Sequence, residues 1–219
     1  MIAVGRGAEM IPRWLTGFWH QQHSTRSLYQ GSVAYCILLV NIRLDIVYNN
    51  SMLILDSDAL IKLNRAGALH RVAQVYDCVI PVAVYKESVE DALEVYPDAA
   101  EIRDIINNRI EVVKAEPFQG IAAPSAFGPG EIEILMLVTP RTIMPITGDE
   151  ATVVTDDVRF LRYLAAFGVN FMVPSSVIVT MRQQNLLSHE ETISILESLR
   201  PIISANEYLT AIRVLKQGE

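Results

Sequence analysis

From residue 52 onward, short apolar runs alternate with stretches of helical periodicity. Strands are predicted at 52–55, 78–80, 110–113, 143–147 and 152–154, where brief apolar runs are bounded by polar or turn-forming residues. Helices are predicted at 59–65, 82–93, 99–108, 131–138 (ending at Pro140) and 158–165, and after Pro174 at 176–185, 189–199 and 207–216. This alternation predicts an α/β fold with three α/β/α layers, a mostly parallel central sheet and additional C-terminal helices.

The first 51 residues differ from the rest in charge, with a net charge of +2 against −9 for the remainder. Met52 opens the regular pattern, and we therefore divide the chain into an N-terminal extension (1–51), a catalytic domain (52–174) and a C-terminal helical extension (175–219). Two interpretations of the extension remain open. It is either an upstream stretch that precedes a natural start at Met52, or a genuine N-terminal arm.

Composition excludes several classes of function. The 219 residues carry a net charge of −7, so no diffuse positive field draws a polyanion to the surface, and any nucleic-acid binding must be local and metal-assisted. Cys36 and Cys78 lack zinc-site spacing, which fits a reducing cytoplasm. The apolar run at 32–42 is too short to cross a membrane. We expect a cytoplasmic protein without a membrane span.

Acidic residues follow two of the predicted strands directly. Asp56 comes after strand 52–55, with Asp58 two residues on, and Asp156 and Asp157 come after strand 152–154. Each acid alone also suits a helix N-cap, but the strand, acid, helix arrangement occurs twice. Carboxylates gathered at one sheet edge repel each other unless a cation lies between them. Oxygen ligands of this kind favour Mg²⁺ or Mn²⁺.

Two glutamates are further candidates. Glu131 opens a helix after a Gly-Pro-Gly sequence, where the exposed backbone N–H groups of the first turn favour a carboxylate. Glu133 is the alternative, but it lies roughly 200° around the helix from Glu131. Glu87 lies within the predicted helix 82–93, and composition makes Glu90 and Glu94 equally eligible.

Four motifs, in this order and spacing, resemble those of PIN-domain ribonucleases of the VapC-like type. They are 53–60 with Asp56, Glu87 in the helix after Ile80 and Pro81, 130–133 with Glu131, and 154–157 with Asp157. The resemblance covers residues 52–174. It implies a compact α/β/α fold, an acidic site that binds one or two Mg²⁺ or Mn²⁺ ions, and hydrolysis of RNA phosphodiester bonds. The Gly-Glu-Ile-Glu run departs from the toxin branch, which often has an aspartate there.

The resemblance also implies roles for individual residues. The implied catalytic residues are Asp56, Glu87, Glu131 and Asp157, the implied metal ligands are these four and Asp156, and the implied substrate-binding residues are Asp58, Thr155, Arg159 and Arg162. Of the two adjacent aspartates, Asp157 matches the family pattern more closely. RNA is the implied substrate, and an antitoxin-type protein and a second copy of the chain are the partners that the resemblance suggests.

Two other functions fit parts of the sequence. Asp56 and Asp58 after an apolar strand resemble the DxD motif of haloacid-dehalogenase-type phosphatases, with Lys114 and the Gly148-Asp149 pair as later motifs. A phosphatase of that type also needs a Ser or Thr at a strand end before the lysine, and between Asp58 and Lys114 the only such hydroxyl is Ser88, which lies in a predicted helix. The other alternative is a PIN-like module that binds RNA or protein without cleavage.

Overall fold

A single parallel sheet forms the centre of the fold. The computed structural model of the chain describes residues 52–116, 125–143 and 151–217, with the backbone alone at 139–143. Within these ranges the strands are β1 (Met52–Leu55), β2 (Asp77–Pro81), β3 (Ile110–Val113), β4 (Thr152–Val154) and β5 (Phe171–Met172). They lie in the order β3-β2-β1-β4-β5, and every neighbouring pair is parallel. The prediction of a mostly parallel sheet is confirmed.

Helices cover the sheet, which gives the three-layer α/β/α arrangement that the sequence predicts. In the described residues they are α1 (Ser57–Arg65), α2 (Leu69–Val75), α3 (Val82–Tyr85), α4 (Asp98–Arg109), α5 (Pro129–Ile143), α6 (Val158–Ala166), α7 (Pro174–Gln183), α8 (His189–Leu199) and α9 (Ala205–Gln217). A π-helical segment, Lys86–Glu90, continues α3.

Several elements differ from their predicted form. α2 and β5 are not predicted, because seven and two residues are too few for a clear periodic signal. The predicted helix 82–93 is wrong in its second half, where the π segment is followed by turns. α5 passes through Pro140, where we expected its end, because a proline removes one backbone hydrogen bond without always ending a helix. Of the predicted strand 143–147, Ile143 is helical and 144–147 lie outside the described residues.

One hydrophobic core joins the sheet to the C-terminal helices. Leu53, Ile54 and Leu55 of β1 are at most 1% exposed, as expected for a central strand covered on both faces. Residues from α7, α8 and α9, among them Ile178, Leu196 and Leu215, belong to the same buried cluster. The C-terminal helices therefore complete the core that β1 begins.

The sheet changes its direction of winding between β1 and β4. The chain passes from β1 outward to β2 and β3, and then returns to the other side of β1 as β4 and β5. The N–H of Asp56 donates to the carbonyl of Val154 (3.0 Å), which extends the β1–β4 pairing one residue past the strand. In open parallel sheets, the crevice at the carboxyl edge beside such a reversal is the usual ligand site.

A buried glutamate joins α9 to the start of α7. Glu207 is 4% exposed, and its Oε1 accepts a hydrogen bond from the N–H of Ser175 (3.1 Å). Burial raises the pKa of Glu207 to about 7, with a further upward contribution from Asp156 and an opposing one from Lys62. The unprotonated carboxylate is therefore costly in the folded protein at neutral pH.

We expect Glu207→Gln to be more stable than the wild type near pH 8, and the difference to shrink as pH falls from about 7 to 4.5. The unfolded chain ionises this carboxyl near 4.5 and the folded protein near 7, so stability is lost as pH rises across that window. The full shift corresponds to about 3 kcal/mol.

The measurement is the free energy of unfolding in urea near pH 5 and pH 8 for the wild type, Glu207→Gln and a control at the exposed Glu94, Glu94→Gln. The control should follow the wild type at both pH values. An effect of Glu207→Gln that is the same near pH 5 and pH 8 would show that ionisation of Glu207 is not the cause.

Candidate active site

Asp56 lies at the carboxyl end of β1, where α1 begins. It is the N-cap of α1, and its Oδ1 accepts from the N–H of Ser57 (2.8 Å) while its Oδ2 accepts from the hydroxyl of Thr155 (2.9 Å). The side chain is buried, and burial raises the pKa of Asp56 to about 6. Asp58 and Glu131 raise it further by electrostatic repulsion. Hydrogen bonds therefore fix the Asp56 carboxylate in a buried site where neighbouring acids create a negative electrostatic potential.

Thr155 joins Asp56 to Asp157. Its hydroxyl donates to Asp56 and accepts from the N–H of Asp157 (3.3 Å). Asp157 is the N-cap of α6, and its Oδ1 accepts from the N–H groups of Arg159 (2.8 Å) and Phe160 (2.9 Å). Thr155, which the resemblance assigns to substrate binding, is fully buried, and its hydroxyl positions the two aspartates.

The N-terminus of α5 brings two glutamates to the same place. Oε2 of Glu131 accepts from the N–H of Gly128 (2.8 Å), and Oε1 of Glu87 accepts from the N–H of Gly130 (3.1 Å). Partial burial raises the pKa of Glu131, and repulsion from Asp157 and Glu87 adds to this rise. Because Glu131 also raises the pKa of Asp56, it interacts with all three other acids. We call Asp56, Glu87, Glu131 and Asp157 the acidic cluster.

Asp156 has a different environment from its neighbour Asp157. Its two carboxylate oxygens accept from Nζ of Lys62 at 2.8 and 2.6 Å. The same ammonium lies 3.8 Å from the exposed carboxylate of Asp58. Asp156, which the resemblance also implies as a metal ligand, therefore already has a cationic partner in Lys62. Asp58 remains accessible beside the cluster.

The remaining candidate residues are Glu133, Arg159 and Arg162. Glu133 accepts from the N–H of Ala83 (2.9 Å), so it serves the start of α3 and not the acidic cluster. Arg159 lies over the cluster, with Nη2 3.6 Å from Oδ2 of Asp157, and its charge lowers the pKa of Glu131. Arg162 follows one turn later on α6 and is exposed. The two arginines thus extend from the acidic cluster along α6.

The donor chemistry of the cluster fits a hard divalent cation. All the candidate ligand atoms are carboxylate oxygens, the type that Mg²⁺ and Mn²⁺ prefer. Burial, and to a smaller extent repulsion from neighbouring carboxylates, raises the pKa of Asp56 and of Glu131, and a cation between the acids would stabilise their ionised forms. Within the part of the chain that the structure describes, no three His, Cys, Asp or Glu side chains are already arranged as a metal-binding group. The carboxylates are directed at backbone N–H groups instead.

Two residues of the site have roles that the sequence did not reveal. Lys62 is 94 residues away from Asp156, and no local pattern predicts their pairing. Gly130 looked like part of a flexible approach to a helix, yet it is a point of close contact. A Cβ at position 130 would lie 2.9 Å from Oε2 of Glu87 and 3.1 Å from Cγ2 of Val84. A glycine just before a candidate acid was the available signal.

A family model described as a PIN domain matches residues 52–216, a range that includes the whole acidic cluster, α7, α8 and all but the last residue of α9. A comparison with curated proteins finds no match. None of the helices in the described ranges combines the length and apolar character needed to cross a membrane.

We expect Gly130→Ala to weaken Mn²⁺ binding by about tenfold or more, the range typical for loss of a group that orients a ligand. The added methyl group would displace the Glu87 carboxylate and disturb its hydrogen bond from α5. Gly128→Ala is the matched control, because a Cβ there meets only Oε2 of Glu131 at 3.8 Å.

The measurement is isothermal titration calorimetry with Mn²⁺ on the wild type and both variants, with thermal unfolding to check the fold. We expect Gly128→Ala to bind Mn²⁺ as the wild type does. Equal Mn²⁺ affinity for the two folded variants would mean that the contact between Gly130 and Glu87 does not contribute to metal binding.

Proposed function

The chain belongs to the PIN-domain family, and we propose that it is a metal-dependent endoribonuclease that hydrolyses RNA phosphodiester bonds. The observation that supports this proposal is the convergence of Asp56, Glu87, Glu131 and Asp157 at the N-termini of three helices, beside the reversal of the sheet. PIN domains are generally nucleases, which supports the same proposal.

Each acid has a defined part in the proposed mechanism. Asp56, Glu131 and Asp157 would hold Mg²⁺ or Mn²⁺, and Glu87 would complete the ligand set from the side of α5. When bound, the ion supplies an activated water and neutralises charge on the scissile phosphate. Thr155 and the N–H groups at the helix N-termini keep the carboxylates in place before any substrate arrives.

RNA must reach this site against an unfavourable overall charge. The chain carries a net charge of −7, so attraction of phosphates has to be local. Arg159 and Arg162 supply local positive charge next to the acidic cluster, and we assign them to phosphate oxygens on either side of the scissile bond. We assign Asp58, whose exposed carboxylate lies 3.8 Å from Lys62, to contact with substrate or with a second hydrated ion.

The phosphatase alternative loses support from the position of Lys114. This lysine follows β3, and β2 lies between β3 and β1, the strand that presents Asp56. Its side chain is 81% exposed and lies 4.0 Å from Glu116. Ser88 donates to the carbonyl of Val84 inside the helix, and Gly148-Asp149 lies outside the described residues.

From the resemblance to VapC-like proteins, we also propose a toxin role, an antitoxin-type partner, a homodimer and a cytoplasmic location.

The alternative function is a PIN-like module that binds RNA or protein without cleavage. Only a measurement of RNA cleavage separates this module from a nuclease.

We expect the wild type to cleave labelled single-stranded RNAs in Mg²⁺ or Mn²⁺ and not in EDTA. Asp56→Asn and Asp157→Asn should each lower the cleavage rate at least about 100-fold, because each removes charge from the ion's ligand set. Asp156→Asn is the matched control, since this acid pairs with Lys62. It should lose stability but keep a cleavage rate within a few-fold of the wild type.

Cleavage is followed on denaturing gels, with circular dichroism to show that each variant is folded. A folded wild type that binds Mn²⁺ and RNA but cuts no RNA in a mixed panel would favour the non-catalytic module. Loss of activity in Asp156→Asn equal to that in Asp157→Asn would support Asp156 as a ligand.

A further inference from the structure

A line of side chains on α6 leads away from the acidic cluster. Arg159, Tyr163 and Phe167 are four residues apart in turn, which places them on one face of the helix and its C-terminal cap. Phe167 is 53% exposed, and the side chain of Arg159 is 65% exposed. We call these three residues together with Arg162 the α6 stripe. It begins at the candidate metal site and ends in an exposed aromatic ring.

The rings of the stripe are held in a fixed row. The Tyr163 ring lies edge-on to Phe127, with centroids 5.2 Å apart, and Phe167 lies 4.7 Å from Tyr163 at an interplanar angle of 33°. Phe127 immediately precedes Gly128, whose N–H donates to Glu131. The aromatic row is therefore connected through Phe127 to the loop that positions the acidic cluster, and Phe167 is its outer member.

The charge of this surface indicates the kind of partner. Between Asp157 and Glu190 the sequence contains arginines but no Asp or Glu, in a chain whose net charge is −7. An exposed aromatic ring beside arginines suits a nucleic acid, because its phosphates pair with guanidinium ions and its bases stack on aromatic side chains. A protein partner would gain less from the two arginines unless it presented matching acids.

We propose that the α6 stripe binds single-stranded RNA, with Arg159 and Arg162 on its phosphates and one unpaired base stacked on Phe167. From Arg159 to Phe167 the helix rises about 12 Å, so the stacked base lies a few nucleotides from the scissile phosphate. This inference rests on the proposed nuclease function and extends it to a base-stacking contact at Phe167, which a base inside a duplex cannot make because it has no free face for the ring.

The test is RNA affinity measured apart from cleavage. Fluorescence anisotropy with Ca²⁺, a cation that carboxylate oxygens bind, in place of Mg²⁺ compares the wild type with Phe167→Leu, which keeps an apolar side chain but loses the aromatic face. The matched control is Tyr96→Leu, because Tyr96 is also 53% exposed and lies outside α6. We expect Phe167→Leu to bind single-stranded RNA roughly 5-fold to 100-fold more weakly, the range for loss of one stacked base.

Abasic RNAs identify the stacked nucleotide. A set of otherwise identical strands, each lacking one base, should contain one strand that the wild type binds as weakly as Phe167→Leu binds the intact RNA. For that strand, Phe167→Leu should cause no further loss, and duplex RNA should bind the wild type and the variant equally.

Three results would overturn the inference: equal affinity of the wild type and Phe167→Leu for single-stranded RNA, an equal loss in Tyr96→Leu, or a change in oligomeric state in sedimentation that assigns Phe167 to a contact between copies. Failure of the nuclease proposal gives a different result. In that case the dependence on Phe167 persists while no RNA is cleaved in Mg²⁺ or Mn²⁺.

Discussion

The crowding of four carboxylates, all at least partly buried, at one edge of the sheet is the constraint on which this site depends. Burial, and then repulsion from neighbouring carboxylates, raises the pKa of Asp56 and of Glu131, so their ionised forms require compensation. The protein supplies it by placing the N-termini of α1, α5 and α6 around the acids, where backbone N–H groups and helix dipoles favour negative charge. Because the N–H groups are neutral, the acidic cluster keeps a net negative charge. This charge would attract a divalent cation.

Strand pairing and close helix packing bring these carboxylates together. Parallel pairing of β1 with β4 puts Asp56 and Thr155 side by side, and α5 packs against α3 and β2 on the other side of β1. Gly130 permits that approach because a side chain at this position would meet Glu87. Lys62 pairs with Asp156, which separates the adjacent aspartates so that only Asp157 is directed at the cluster.

The sequence predicts the elements with strong local signals and misses those that depend on distant contacts. Fully apolar strands such as Met52–Leu55, followed by an acid and a helix, identify both the parallel sheet and the positions of Asp56 and Asp157. The burial of Thr155 and the partnership of Lys62 with Asp156 result from residues close in space but 94 to 99 positions apart in the chain. The π segment at Lys86–Glu90 has no periodicity that separates it from an ordinary helix, although it carries Glu87.

Whether Asp56, Glu131 and Asp157 share one divalent cation can be measured by the anomalous scattering of crystals grown with Mn²⁺. We expect one strong peak about 2.1 Å from carboxylate oxygens of these three residues, with Asp156 still paired with Lys62. Crystals that show Mn²⁺ bound by Asp156, or no Mn²⁺ in the acidic cluster at saturating concentration, would show that these three acids do not share a cation.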